Sequence, residues 1–120
     1  MEHDCRVMED AAMERLSRCL NRALGLAPAA TQVFLRKGVL VARLTQALTP
    51  MTRMIISREA GAQIVQGAYD ALLADCREPL ARLAAQVAGR AVHQIRIAVD
   101  APAEAVVIEF LLQSEGEANA

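Results

Sequence analysis

From Val39 to Thr45 the chain reads Val-Leu-Val-Ala-Arg-Leu-Thr, an apolar β-like run that leads through Gln46 and Ala47 to Leu48-Thr49-Pro50. A strand of this kind needs a partner for its backbone N–H and C=O groups. Thr31 to Arg36 supplies one, because Lys37-Gly38 between the two runs makes a tight turn in which Gly38 can take a positive φ. Within the second run Val39 and Val41 share a face with Arg43, while Leu40, Ala42 and Leu44 share the other. The second face is the better core face.

The segments around this hairpin follow a different period. Cys5, Met8, Ala12, Leu16, Cys19, Leu20 and Ala23 recur at intervals of three and four, which predicts an amphipathic helix over about residues 4 to 24. Its acidic residues come early and its basic residues late, in keeping with the helix dipole, and Gly25 with Pro28 ends it. After the hairpin, Pro50 suits a first helical position with Thr49 as N-cap, giving a short helix through Met51, Met54 and Ile55. Ser57 is placed to cap the next helix. From Glu59 onward Ile64, Ala68, Leu72, Cys76, Leu80, Leu83 and Val87 keep helical spacing as far as Gly89, with Pro79 forcing a kink or a fresh start, the restart preferred. Val92 to Val99 and Ala105 to Leu112 then read as a second hairpin around the turn residues Asp100 to Glu104.

The expected fold class is therefore α+β: N-terminal helix, β-hairpin, helical region, second β-hairpin. The sheet is antiparallel or mixed, four-stranded, with helices packed on it. Residues 1–120 form one domain, with the hairpin–helices–hairpin unit at 31–112 and a polar, acidic tail at 114–120 expected to be disordered. The far sheet face is either open or covered by the N-terminal helix. If open, Val39, Val41 and their aliphatic neighbours favour a homodimer.

Composition excludes several functions. The 54% hydrophobic content rules out a disordered chain, yet Phe34, Phe110 and Tyr69 are the only aromatics, so the core must be aliphatic. A net charge of −1 gives no field to gather nucleic acid or anionic lipid, and without aromatic platforms single-strand binding loses its usual stacking surface. Cys5, Cys19 and Cys76 are odd in number and sit at apolar helical positions, which reads as reduced core cysteine and a cytoplasmic location. No uncharged run reaches the ~18 residues of a membrane span, and Met1-Glu2-His3-Asp4 lacks a basic leader, so a soluble, unprocessed chain with no direct membrane insertion is expected.

Taken together, Gly25-x-x-Pro28, the apolar hairpin, Leu48-Thr49-Pro50, Arg77-Glu78-Pro79 on an amphipathic helix, and Gly89-Arg90-Ala91-Val92 before a strand ending in Asp100 form a recognisable succession. Over about residues 15 to 112 it resembles the MpsC-like family, named for the third component of a sodium-translocating, membrane-potential-generating system. The resemblance implies a small soluble domain with an accessory role, beside membrane partners that take up cations and bicarbonate. Where that family commonly follows Leu-Thr-Pro with an acidic residue, this chain has Met51-Thr52-Arg53.

No spacing assembles a nucleophile–base pair or a metal set, so no enzyme, cofactor or metal is expected. His3 and Cys5 form only an H-x-C pair, and His93 is remote. Thr49 and Pro50 border a strand-to-helix junction whose N–H groups could face an anion such as bicarbonate, though the plainer reading is a helix cap. Arg77, between Asp75 and Glu78, could bind an anion or a partner, against an ion pair that fixes the helix break. Arg36, Lys37, Arg43 and Arg96 would gather on one sheet face if the hairpins are neighbours, facing an acidic partner or simply water. The expected function is a non-catalytic cytoplasmic accessory or interaction protein with a membrane transporter subunit as partner. The alternative is a small homodimeric sensor taking an anion or metabolite near Thr49 and Arg77.

Overall fold

The computed structural model describes the backbone of residues 2–114 and the side chains of residues 11–114. The side chains of His3, Cys5 and Met8, and the tail from residue 115, lie outside the described residues. In chain order the elements are α1 (Glu2–Leu24), β1 (Ala30–Arg36), β2 (Val39–Thr45), α2 (Pro50–Ile56), α3 (Gly61–Asp75), α4 (Arg77–Ala88), β3 (Val92–Asp100) and β4 (Ala105–Leu112).

The four strands form one sheet in the order β1-β2-β4-β3, and every neighbouring pair is antiparallel. The two local hairpins thus lie side by side, joined at the centre by β2 and β4, and the mixed sheet left open by the sequence does not occur. Lys37 and Gly38 both have positive φ, the geometry of a two-residue hairpin turn whose twist matches the strands it joins. Gly38 C=O also accepts from Leu112 N–H, which ties this turn to the end of β4.

Register fixes which side chains share a face. Leu40 lies beside Phe110, Ala42 beside Ile108 and Leu44 beside Val106, with Ile95, Ile97 and Val99 of β3 in the same rows. These β2 and β4 residues are buried, as are Leu16, Leu20 and Leu24 of α1 and Leu80 and Ala84 of α4, and all belong to one apolar cluster. Helices α3 and α4 rest on β3, and α1 packs against α3 and α4. The molecule therefore has two layers. The N-terminal helix completes the helical layer, and among the described residues no helix lies on the outer sheet face.

Three local expectations need correction. Ser57 does not cap α3. It ends α2, its hydroxyl donating to Met54 C=O at 2.7 Å, and α3 begins after Ala60, a residue in left-handed conformation. Next, the α3 stripe through Ile64, Ala68 and Leu72 is the exposed one, with Ile64 62% exposed. The buried stripe is one position later, through Gly61, Val65, Tyr69 and Leu73. Gly61 decides this: a Cβ there would stand 1.5 Å from Ile55 C=O, so only glycine lets α2 and α3 meet along that edge. Finally, the preferred restart is present but falls two residues ahead of Pro79, at Arg77. Cys76 alone separates the helices, and Pro79 falls in the first turn of α4, where its missing N–H would have had no helical partner.

Candidate functional site

At the start of α2, Thr49 has extended backbone and its Oγ1 accepts from Thr52 N–H at 3.1 Å, with the two hydroxyls 2.9 Å apart. Pro50 opens the helix. This cap borders a half-open pocket of about 220 Å³ lined by Leu24, Leu26, Thr52, Ile55, Ile64 and Tyr69. Burial pushes the Tyr69 hydroxyl above its ordinary pKa, and a hydrogen bond with Thr52 partly offsets this. The walls are aliphatic, the polar atoms are hydroxyls, and none of the lining residues is basic. Such a pocket offers an anion no counter-charge.

Arg77 opens α4 on the surface, after the Cys76 break. Among the described residues it makes no ion pair, with Asp75 and Glu78 or otherwise, so the break is not held by one. The break is held by main-chain bonds and by the Cys76 thiol, which donates to Leu72 C=O at 3.1 Å. Burial, and then the nearby Cys19 sulfur, push the Cys76 thiol above its ordinary pKa. Both push the thiol away from the thiolate form that nucleophilic attack requires. No hydrogen bond joins Thr49 to Arg77, and Arg77 does not line the pocket that Thr49 borders.

The sheet does bring the predicted cations to one face, since register puts Arg36, Arg43 and Arg96 on the outer side. It also supplies counter-charges for two of them. Arg43 reaches across β4 to Asp100 at 3.5 Å, and Arg96 meets its cross-strand neighbour Glu109 at 3.6 Å. Lys37 lies in the turn. The outer face therefore carries two ion pairs over Val39, Val41, Val107 and Leu111, with Arg36 at its β1 edge, rather than a gathered basic patch.

Sequence reasoning missed two features. Arg53 of α2 bonds Glu104 in the β3–β4 turn at 2.8 Å, an ion pair between residues 51 apart that no local pattern reveals. The other is an exposed apolar surface on α2 and α3 formed by Met51, Met54, Ile64 and Leu72. Its signal was present in the i, i+4 spacing of Ile64, Ala68 and Leu72, which reads equally well as core. Among the described residues no three His, Cys, Asp or Glu side chains gather to hold a metal ion, and no helix is long and apolar enough to cross a membrane.

A family model described as "Na+-translocating membrane potential-generating system (MpsC)" matches residues 6–114, nearly the whole chain. No curated protein and no solved structure matches it.

Proposed function

The chain belongs to the MpsC family, and on that premise we propose that it is a non-catalytic cytoplasmic accessory protein of a membrane system that takes up cations and inorganic carbon. The family match carries this reading. A membrane partner fits the family's description as part of an ion-translocating system and fits the described residues, in which no helix is long and apolar enough to cross a bilayer. The exposed Met51, Met54, Ile64 and Leu72 surface suits such a partner, because flexible methionines adapt to an apolar counterpart. Tagged protein isolated from native membranes is expected to bring the ion-translocating subunit with it. Ile64→Asp, at a position mostly in water, should abolish that recovery while leaving the Tm close to that of the parent. Failure to recover the subunit even after chemical cross-linking overturns the reading.

One observation favours a second reading, an anion or metabolite sensor. Arg77 stands on the surface without an ion pair among the described residues, beside a helix start. In that case bicarbonate or phosphate raises the Tm of the parent protein, and Arg77→Ala removes the rise without changing the Tm in anion-free buffer. A rise that survives in Arg77→Ala excludes Arg77 as the anion's contact.

A further inference from the structure

The two edges of the sheet differ in how they are closed. On β3 the outward carbonyl of Ile97 accepts from the Gln66 side chain of α3 at 2.6 Å, α3 rests along the strand, and a register shift interrupts the pairing between Val92 and Gln94. Each of these devices keeps another strand from adding there. On β1 none is present among the described residues: the strand Ala30–Arg36 runs in unbroken register, contains no proline or lysine, and carries one charge, at its last residue. It also exposes apolar groups at that same end, Phe34 by 42% and Leu35 by 56%.

Hairpin geometry tells which backbone groups of β1 face outward. The two-residue turn makes Arg36 and Val39 the hydrogen-bonded closing pair, so alternation directs Arg36, Phe34 and Gln32 towards β2 and leaves Leu35, Val33 and Thr31 with N–H and C=O turned away from the sheet. Beside this edge lies a shallow groove of about 210 Å³ lined by Met13, Val33, Phe34, Leu35, Leu40, Val87 and Ala88.

We propose that β1 is the dimer edge of this protein, where β1 of a second copy adds antiparallel about a two-fold axis at Phe34 to give a continuous eight-stranded sheet. The self-fit comes from the strand's own order. About Phe34, Leu35 of each copy falls opposite the partner's Val33 in hydrogen-bonded pairs, and the two Phe34 rings face each other in a non-hydrogen-bonded pair on the outer face. Leu35 then enters the partner's groove. Arg36 falls opposite the partner's Gln32, so the one charge on the strand meets an amide rather than another cation. A strand with no net pattern of charge offers nothing to select an acidic or basic peptide, while a two-fold copy matches it position for position.

Sedimentation equilibrium over a wide dilution series should show a reversible monomer–dimer equilibrium. Leu35→Lys should yield monomer throughout, with an unchanged circular dichroism spectrum, because Leu35 is already half in water and its N–H is turned away from β2, bonding nothing among the described residues. In a background with every cysteine replaced by alanine, Phe34→Cys should oxidise to a covalent dimer with diamide, while Gln32→Cys should not, since only position 34 lies opposite itself. A protein that is monomeric at every concentration overturns the proposal. So does a dimer that persists in Leu35→Lys and is lost in Leu111→Lys, which would place the interface on the outer sheet face. Co-purification with a membrane subunit is read separately and stands or falls independently of either result.

Discussion

Along β2, Leu40, Ala42 and Leu44 turn towards the helices and are buried, while Val39, Val41 and Arg43, one residue out of step, turn to the side that no helix covers among the described residues, where Val41 alone of the three is buried. The covered face holds together by shape: Phe110, Ile108 and Val106 are wholly buried, and the described residues contain no buried polar or charged residue. The bare face relies on arms of charge laid over small and β-branched side chains, Arg43 to Asp100 and Arg96 to Glu109. One backbone therefore supports two regimes. On the first face volume decides stability, and on the second the charges keep apolar ground from being fully exposed.

The largest effect expected from this contrast is between adjacent residues of β4. Phe110→Ala should cost about 3–5 kcal/mol in urea unfolding, and Leu111→Ala about 1 kcal/mol or less. Equal costs would mean that the outer face is covered in solution. Next in size is Gly61→Ala, which should lower stability by about 1–3 kcal/mol by forcing α2 away from α3 and loosening the helical cover. A parent-like Tm in that variant would show the α2–α3 joint to be yielding. Arg43→Ala should cost about 0–1 kcal/mol, and less as salt is raised, since both members of its pair are partly in water. The smallest effect concerns pH. Tyr69 and Cys76 have raised pKa values in the folded state, so the unfolded chain loses those protons first as the solution becomes alkaline. Their contribution is complete below the ordinary tyrosine and thiol values and is lost as pH rises through the raised ones. Thermal melts should decline above about pH 9, and Tyr69→Phe should flatten part of that decline.

What could be read from the sequence was what neighbours in the chain decide. Both hairpins, the Thr49-Pro50 helix start and the stop at Gly25 depend on residues within a few positions of one another, and all four are present. The α3 stripe was not legible, because Ile64-Ala68-Leu72 and Val65-Tyr69-Leu73 are both apolar at helical spacing. The choice between them lies in the approach of Ile55 C=O to Gly61, from another helix. The candidate sites divide in the same way. Thr49 as cap is a three-residue matter, whereas the pairing of Arg43 with Asp100 and of Arg53 with Glu104 needed the strand order. Of the two readings left open for Arg77, the ion pair does not form among the described residues, since sequence adjacency to Asp75 and Glu78 does not bring the side chains together across a helix break.

The central seam of the sheet also governs how the chain can reach its folded state. Each hairpin closes over a handful of residues, but β2 and β4 meet only after the chain between them, about sixty residues, has been drawn into a loop at an entropic cost that grows with the logarithm of its length. Helices α2, α3 and α4 lie inside that loop and shorten it as they form. Two prefabricated ribbons, brought together by the collapse of the helices between them, make the joining of β2 to β4 the committing event. Contacts across that seam, Leu40 with Phe110 and Ala42 with Ile108, are accordingly where substitutions should slow folding rather than speed unfolding.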